Sequence, residues 1–144
     1  MNAIIIEDEK LSAEHLSNLL KRIDASINVI ATFDSVKKSV SEFQKGIKAD
    51  VVFVDVHLAD GLSFEIFSKI QLDTPIIFTT AFDEYAIKAF KLNSVDYLLK
   101  PIGAEDLRVA IDKLKKFTQS HTSIVQDIAN AYQNLNKQYK NRFM

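Results

Sequence analysis

Cysteine is absent from this chain of 144 residues, which excludes disulfides, zinc–thiolate sites and thiol catalysis. The absence fits a reducing compartment. An excess of one charge is lacking too: 18 Lys+Arg stand against 19 Asp+Glu, a formal net charge of −1. Such a balance gives no basic field for nucleic acid or for an anionic membrane surface. A partner bound through this domain is therefore expected to be a protein. No apolar run approaches the ~20 residues needed to cross a bilayer. The opening Met-Asn-Ala-Ile-Ile-Ile-Glu-Asp has no basic region ahead of its short apolar stretch, unlike a signal peptide. The expectation is a cytoplasmic protein without membrane contact. Glycine (three) and proline (two) are scarce and fall between the apolar segments, where they mark turns.

What is present is apolar residue in quantity, 47% of the chain, arranged as short runs that alternate with amphipathic stretches. Ala3 to Ile6, Ile27 to Phe33, Val51 to Val54, Ile76 to Thr79 and Val95 to Leu99 read as strands. Between them, Leu16, Leu19, Leu20 and Ile23 fall at helical spacing. Asp34 is placed to cap a helix through Val36, Val40 and Phe43 that stops at Gly46. Asp60-Gly61 marks a turn, after which Leu62, Ile66 and Ile70 step by four. Asp83 starts a helix with Ala86, Ile87, Ala89 and Phe90, and Pro101-Ile102-Gly103 precedes one with Leu107, Ile111 and Leu114 inward. Strands apolar on both faces need cover on both faces. The predicted fold is therefore α/β: a doubly wound, five-stranded parallel sheet of flavodoxin-like order 2-1-3-4-5 with helices on both faces.

The polar stretch Thr118-Gln-Ser-His-Thr-Ser changes the composition after Phe117. Ile124, Ile128, Ala131 and Leu135 then form a heptad-like stripe that continues the phase of Leu107, Ala110, Leu114 and Phe117. The expected division is a domain over 1–117 and a linker or helical tail over 118–144. The stripe suits a linker helix packing on itself as well as a dimerising coil.

In this fold the ligand site lies at the carboxyl ends of the strands. Strand 1 ends in Glu7-Asp8-Glu9, strand 3 in Asp55, strand 4 in Thr79-Thr80-Ala81 and strand 5 in Lys100-Pro101. Crowded carboxylates repel one another, and a divalent cation relieves the repulsion. An oxygen-only donor set points to Mg²⁺ or Mn²⁺ rather than Zn²⁺. A carboxylate beside such a metal can attack phosphorus and form an acyl phosphate. Lys100 would add positive charge at the phosphoryl oxygens, and Thr80 a hydroxyl donor.

These residues resemble the receiver domains of bacterial two-component response regulators over roughly residues 1 to 117. Ile-Ile-Ile-Glu7-Asp8-Glu9 is similar to the family's acidic pair, Val-Phe-Val-Asp55 to its phosphoacceptor strand, Thr80-Ala81 to its switch hydroxyl, and Lys100-Pro101 to its lysine with a following proline, a bond usually cis in the family. Tyr97 falls where the family has a rotating aromatic. The stretch from Thr80 to Pro101 resembles the LytTR branch, whose regulators usually carry a C-terminal DNA-binding domain, and Lys140-Asn-Arg-Phe-Met144 resembles the opening of that output domain. The resemblance implies a phosphoacceptor switch rather than a metabolic enzyme, one that assists its own phosphorylation and dephosphorylation. It implies phosphoryl transfer from a sensor histidine kinase to Asp55, with metal held by Glu7, Asp8, Asp55 and the His57 backbone carbonyl. It further implies a homodimer through the face of the fourth helix, fifth strand and last helix, and DNA contact only through an output domain lying beyond this chain. The sequence departs from the pattern in having Glu-Asp where Asp-Asp is common, Ala59 where proline is usual, and Gly61 sooner after Asp55.

Plainer readings stand beside these. Taken alone, Asp55 is a strand-end turn residue, Glu9 a solvated neighbour, His15 a surface histidine and Tyr97 a core aromatic. A Mg²⁺-dependent phosphohydrolase on this fold would need a second carboxylate close after the nucleophile, and Asp55-Val56-His57 offers none. A phosphorylation-independent interaction or dimerisation module would leave Lys100 and Thr80 without a purpose.

Overall fold

The computed structural model describes residues 1–81 and 94–118. The helix read from Asp83, the stripe from Ile124 to Leu135 and the closing Lys140–Met144 lie outside the described residues. Chain order is β1 (Asn2–Ile6), α1 (Lys10–Ile23), β2 (Asn28–Phe33), α2 (Val36–Gln44), β3 (Val51–Asp55), β4 (His57–Leu58), β5 (Gly61–Leu62), α3 (Phe64–Lys69), β6 (Ile76–Thr80) and β7 (Asp96–Leu99). Residues 104–118 form a further helix. The main sheet has the order β2-β1-β3-β6-β7, and every pairing in it is parallel. Counted among its own strands, that is the expected 2-1-3-4-5.

Successive side chains of a strand point to opposite faces, and here both faces are apolar. Ala3, Ile5, Val51, Phe53, Ile77 and Leu98 pack under α1 and helix 104–118, against residues such as Leu16, Leu20, Leu107 and Leu114. Ile4, Ile6, Val52, Val54 and Phe78 pack on the other side with Val36 of α2 and Ile66 of α3. Leu107, Ile111 and Leu114 are inward, as their spacing predicts. Among the described residues no helix is long and apolar enough to cross a membrane.

Three local readings are corrected. β2 lies at the sheet edge, and Asn28, Ile30 and Thr32 are exposed, so this strand is not covered on both faces. The cap of α2 is Ser35 rather than Asp34: Ser35 is extended, and its hydroxyl accepts the Lys38 N–H at 3.0 Å. Leu62 does not open a helix. It pairs with His57 in a two-stranded antiparallel ribbon, is 43% exposed, and α3 begins only at Phe64. Ile70 is the extended cap residue that follows α3.

Candidate functional site at the carboxyl edge of the sheet

The parallel register brings the carboxyl ends of the central strands level. Asp55 closes β3 opposite Thr79, and Thr80 lies opposite Leu99. One step past β1, Glu7 still donates its backbone N–H to Phe33 at 2.9 Å. One step past β7, Lys100 donates its own to Thr80 at 2.7 Å. The side chains of Glu7, Asp8, Asp55 and Lys100 therefore meet, although they span most of the sequence. They line a cleft of ≈ 680 Å³ together with His57, Thr79, Ala81, Pro101 and residues of α1.

Glu7 and Asp55 are buried, at 5% and 7% exposure, whereas Asp8 is exposed. One carboxylate oxygen from each of the three can be chosen so that all lie within 4.8 Å of one another. The Lys100 ammonium sits between the two buried acids, donating to Glu7 Oε1 and, at 2.9 Å, to Asp55 Oδ2. Burial pushes the Glu7 carboxyl up to about 7, against the opposing pull of Lys100. Lys100 is held above the ordinary lysine value: burial disfavours its ammonium, but the hydrogen bonds to Glu7 and Asp55 and their charge outweigh it. One ammonium cannot neutralise three carboxylates. The remaining negative charge, presented by oxygen atoms alone, fits a hard divalent cation such as Mg²⁺.

The other expected residues are placed less centrally. His57 is exposed, lines the cleft, and donates its backbone N–H to Asp55 Oδ1 at 3.2 Å. Thr80 is buried at the end of β6, where Thr79 and Ala81 rather than Thr80 line the cleft. Tyr97 is half-buried against the Phe78 side of the core, outside the cleft lining. Glu9 is exposed, as read, and accepts from the Ser12 hydroxyl at 3.2 Å. The Lys100–Pro101 bond is cis.

Among the contacts with no counterpart in the sequence reading, two adjoin the strand-end segments. His15 is exposed, yet its Nε2 lies 3.1 Å from the Ile102 carbonyl, tying α1 to the segment after Lys100. Asp60, read only as a turn residue, accepts the backbone N–H groups of Val36 and Lys37 at 2.8 and 3.1 Å. Neither pairing has a local signature, since 87 and 24 residues separate the partners.

Comparisons with known proteins bear on the family and the fold. A family model described as the response regulator receiver domain matches residues 3–112. The chain is 34% identical over 134 residues to the sensory transduction protein LytT of Bacillus anthracis, covering 91% of this chain and 54% of that protein. It is 38% identical over 136 residues to the transcriptional regulatory protein LytR of Staphylococcus aureus (strain bovine RF122 / ET3-1), covering 90% and 54% respectively. The chain thus spans about half the length of these curated relatives. Among solved structures, it resembles the response regulatory domain of protein mrkE from Klebsiella pneumoniae at 32% identity and a TM-score of 0.64, covering 83% of this chain and 97% of that one.

Proposed function

The chain belongs to the response-regulator receiver family, and on that footing we propose that Asp55 is the phosphoacceptor, charged by a sensor histidine kinase. The observation that carries this is the Lys100 ammonium bound to both buried carboxylates, Glu7 and Asp55, which places a fixed positive charge beside a buried nucleophile. In the step itself an Asp55 carboxylate oxygen attacks phosphorus. The bond from phosphorus to the donor imidazole nitrogen breaks, and its electron pair stays with the imidazole. Lys100 then compensates the charge of the arriving phosphoryl group. Glu7, Asp8, Asp55 and the His57 backbone carbonyl are the groups that would hold Mg²⁺ or Mn²⁺, which when bound supplies further positive charge to the phosphoryl oxygens.

Thr80 is the hydroxyl assigned to the phosphoryl group, and Tyr97 the aromatic that follows it. Their movement would remodel the surface of β7 and helix 104–118, a local charge event biasing a two-state surface. A homodimer through that surface is the assigned output. The same groups would assist both phosphorylation and dephosphorylation. Residues 1–117 act as the receiver and 118–144 as the linker to a LytTR-type DNA-binding domain, as the regulators LytT and LytR suggest, with the whole protein cytoplasmic.

The test is incubation with Mg²⁺ and acetyl phosphate, read by intact mass. The wild type gains one phosphoryl group and Asp55→Asn gains none. An adduct that persists in Asp55→Asn, or none in the wild type, would overturn the assignment.

A further inference from the structure

The loop after Asp55 lacks a proline and turns early, so something else must hold it. His57 is the point that matters: its backbone N–H donates to Asp55 Oδ1 at 3.2 Å. Beyond it the chain folds into the β4–β5 ribbon, with His57 opposite Leu62 and Leu58 opposite Gly61. A ribbon this short is not stable by itself in water. Its base is closed by the Ser63 N–H on the Val56 carbonyl at 2.9 Å, and Leu58 is buried in the core at 7% exposure. Its tip is tied elsewhere. Both carboxylate oxygens of Asp60 are engaged by α2, Oδ1 by the Val36 N–H at 2.8 Å and Oδ2 by the Lys37 N–H at 3.1 Å. The first backbone N–H groups of a helix have no partner within it, so they are strong donors to a carboxylate. The anchor is firm because Val36 is itself buried in the same core as Val56 and Leu58. The turn leaves little choice of residue at its next position. Gly61 has φ +142°, and a Cβ there would lie 3.2 Å from Glu65 Oε2.

We propose that Asp60 is a positioning residue for the phosphoacceptor site. Through the ribbon it holds the His57 backbone beside Asp55, using the first turn of α2 as its anchor. This rests on the reading of Glu7, Asp8, Asp55 and the His57 carbonyl as a Mg²⁺ site, and it gives the loop the support that proline does not. A plain helix cap is the competing role, and α2 supplies its own control: Ser35 caps the same helix through the Lys38 N–H, with its hydrogen bonds made inside α2.

The experiment compares Asp60→Ala, Asp60→Asn and Ser35→Ala in the full chain. Mg²⁺ binding is followed by the NMR shifts of the residue 55–58 amides, and hydrogen exchange of the His57 amide is followed without metal. Groups that orient ligands from behind typically carry about 10-fold or more in metal affinity. Asp60→Ala should therefore weaken Mg²⁺ binding by about 10-fold and speed His57 exchange. Asp60→Asn, which keeps one acceptor oxygen, should shift both less in the same direction, and it carries the comparison should Asp60→Ala not fold. Ser35→Ala should lower the melting temperature and leave both readouts at wild-type values. Unchanged affinity and exchange in the Asp60 variants, or equal losses in Ser35→Ala, would overturn the proposal. A wild type that takes no Mg²⁺ would overturn the metal site instead, and the His57 exchange rates would still decide the part played by Asp60.

Discussion

Val54 and Asp55 are consecutive on β3 and both are buried, yet they do opposite things for the protein. Val51 to Val54 put only apolar surface into the core, and their burial stabilises the fold. Asp55, with Glu7 and Lys100, fills the strand ends with charge that burial disfavours. A carboxyl pushed up to about 7 and a lysine that depends on two acids mark a region whose charges burial disfavours. The body of the sheet and its carboxyl edge should therefore respond differently to substitution, pH and metal.

The largest difference is expected between Phe53 and Asp55. Phe53 is fully buried, so Phe53→Ala should cost about 3–5 kcal/mol in urea denaturation. Asp55→Asn should cost less than about 1 kcal/mol, because Lys100 keeps Glu7 as its partner and one buried charge is removed. Equal losses would erase the distinction.

Next comes the pH dependence of the metal-free protein. The folded state holds the Glu7 proton more tightly than the unfolded chain, whose ordinary value is 4.5. That contribution is fully present below 4.5 and is lost as pH rises through about 7. Stability should fall across this window by on the order of 1–3 kcal/mol, and the slope should vanish in Glu7→Gln. A rise with pH in the wild type would contradict the burial of Glu7 as a charged group.

How much of this was legible in the sequence follows the same division. The strands of the body announce themselves because a run such as Val51-Val-Phe-Val54 has no polar side to expose, and the parallel order follows. The edge was legible because Glu7, Asp55 and Lys100 each sit one step beyond an apolar run, with Asp8 directly after Glu7. Elements decided by backbone pairing and geometry rather than by hydrophobic spacing were not. Leu62 has helical spacing to Ile66 and Ile70, but pairing with His57 takes it into the ribbon. Ser35 and Asp34 are both competent caps, and backbone geometry selects Ser35. β2 alternates because the face carrying Asn28, Ile30 and Thr32 is exposed, which local hydrophobicity does not reveal.

Smaller effects test these corrections. Ser35→Ala should cost about 1 kcal/mol without altering the pH slope set by Glu7, whereas Asp34→Ala should leave the α2 cap intact. Leu62→Ser, on the exposed ribbon, should change stability by less than about 0.5 kcal/mol. A core-sized loss there would restore Leu62 to a buried helix.

The central claim is that the carboxyl edge is a single phosphoryl-accepting pocket with Asp55 as its nucleophile. Borohydride reduction of the phosphorylated protein tests it most directly, because hydride converts an acyl phosphate into the corresponding alcohol and marks the residue that carried it. Peptide mapping should find one converted side chain, at Asp55, in the wild type. Conversion at Glu7 or Asp8, or a phosphoryl group that resists hydride and maps to His15 or His57, would contradict it.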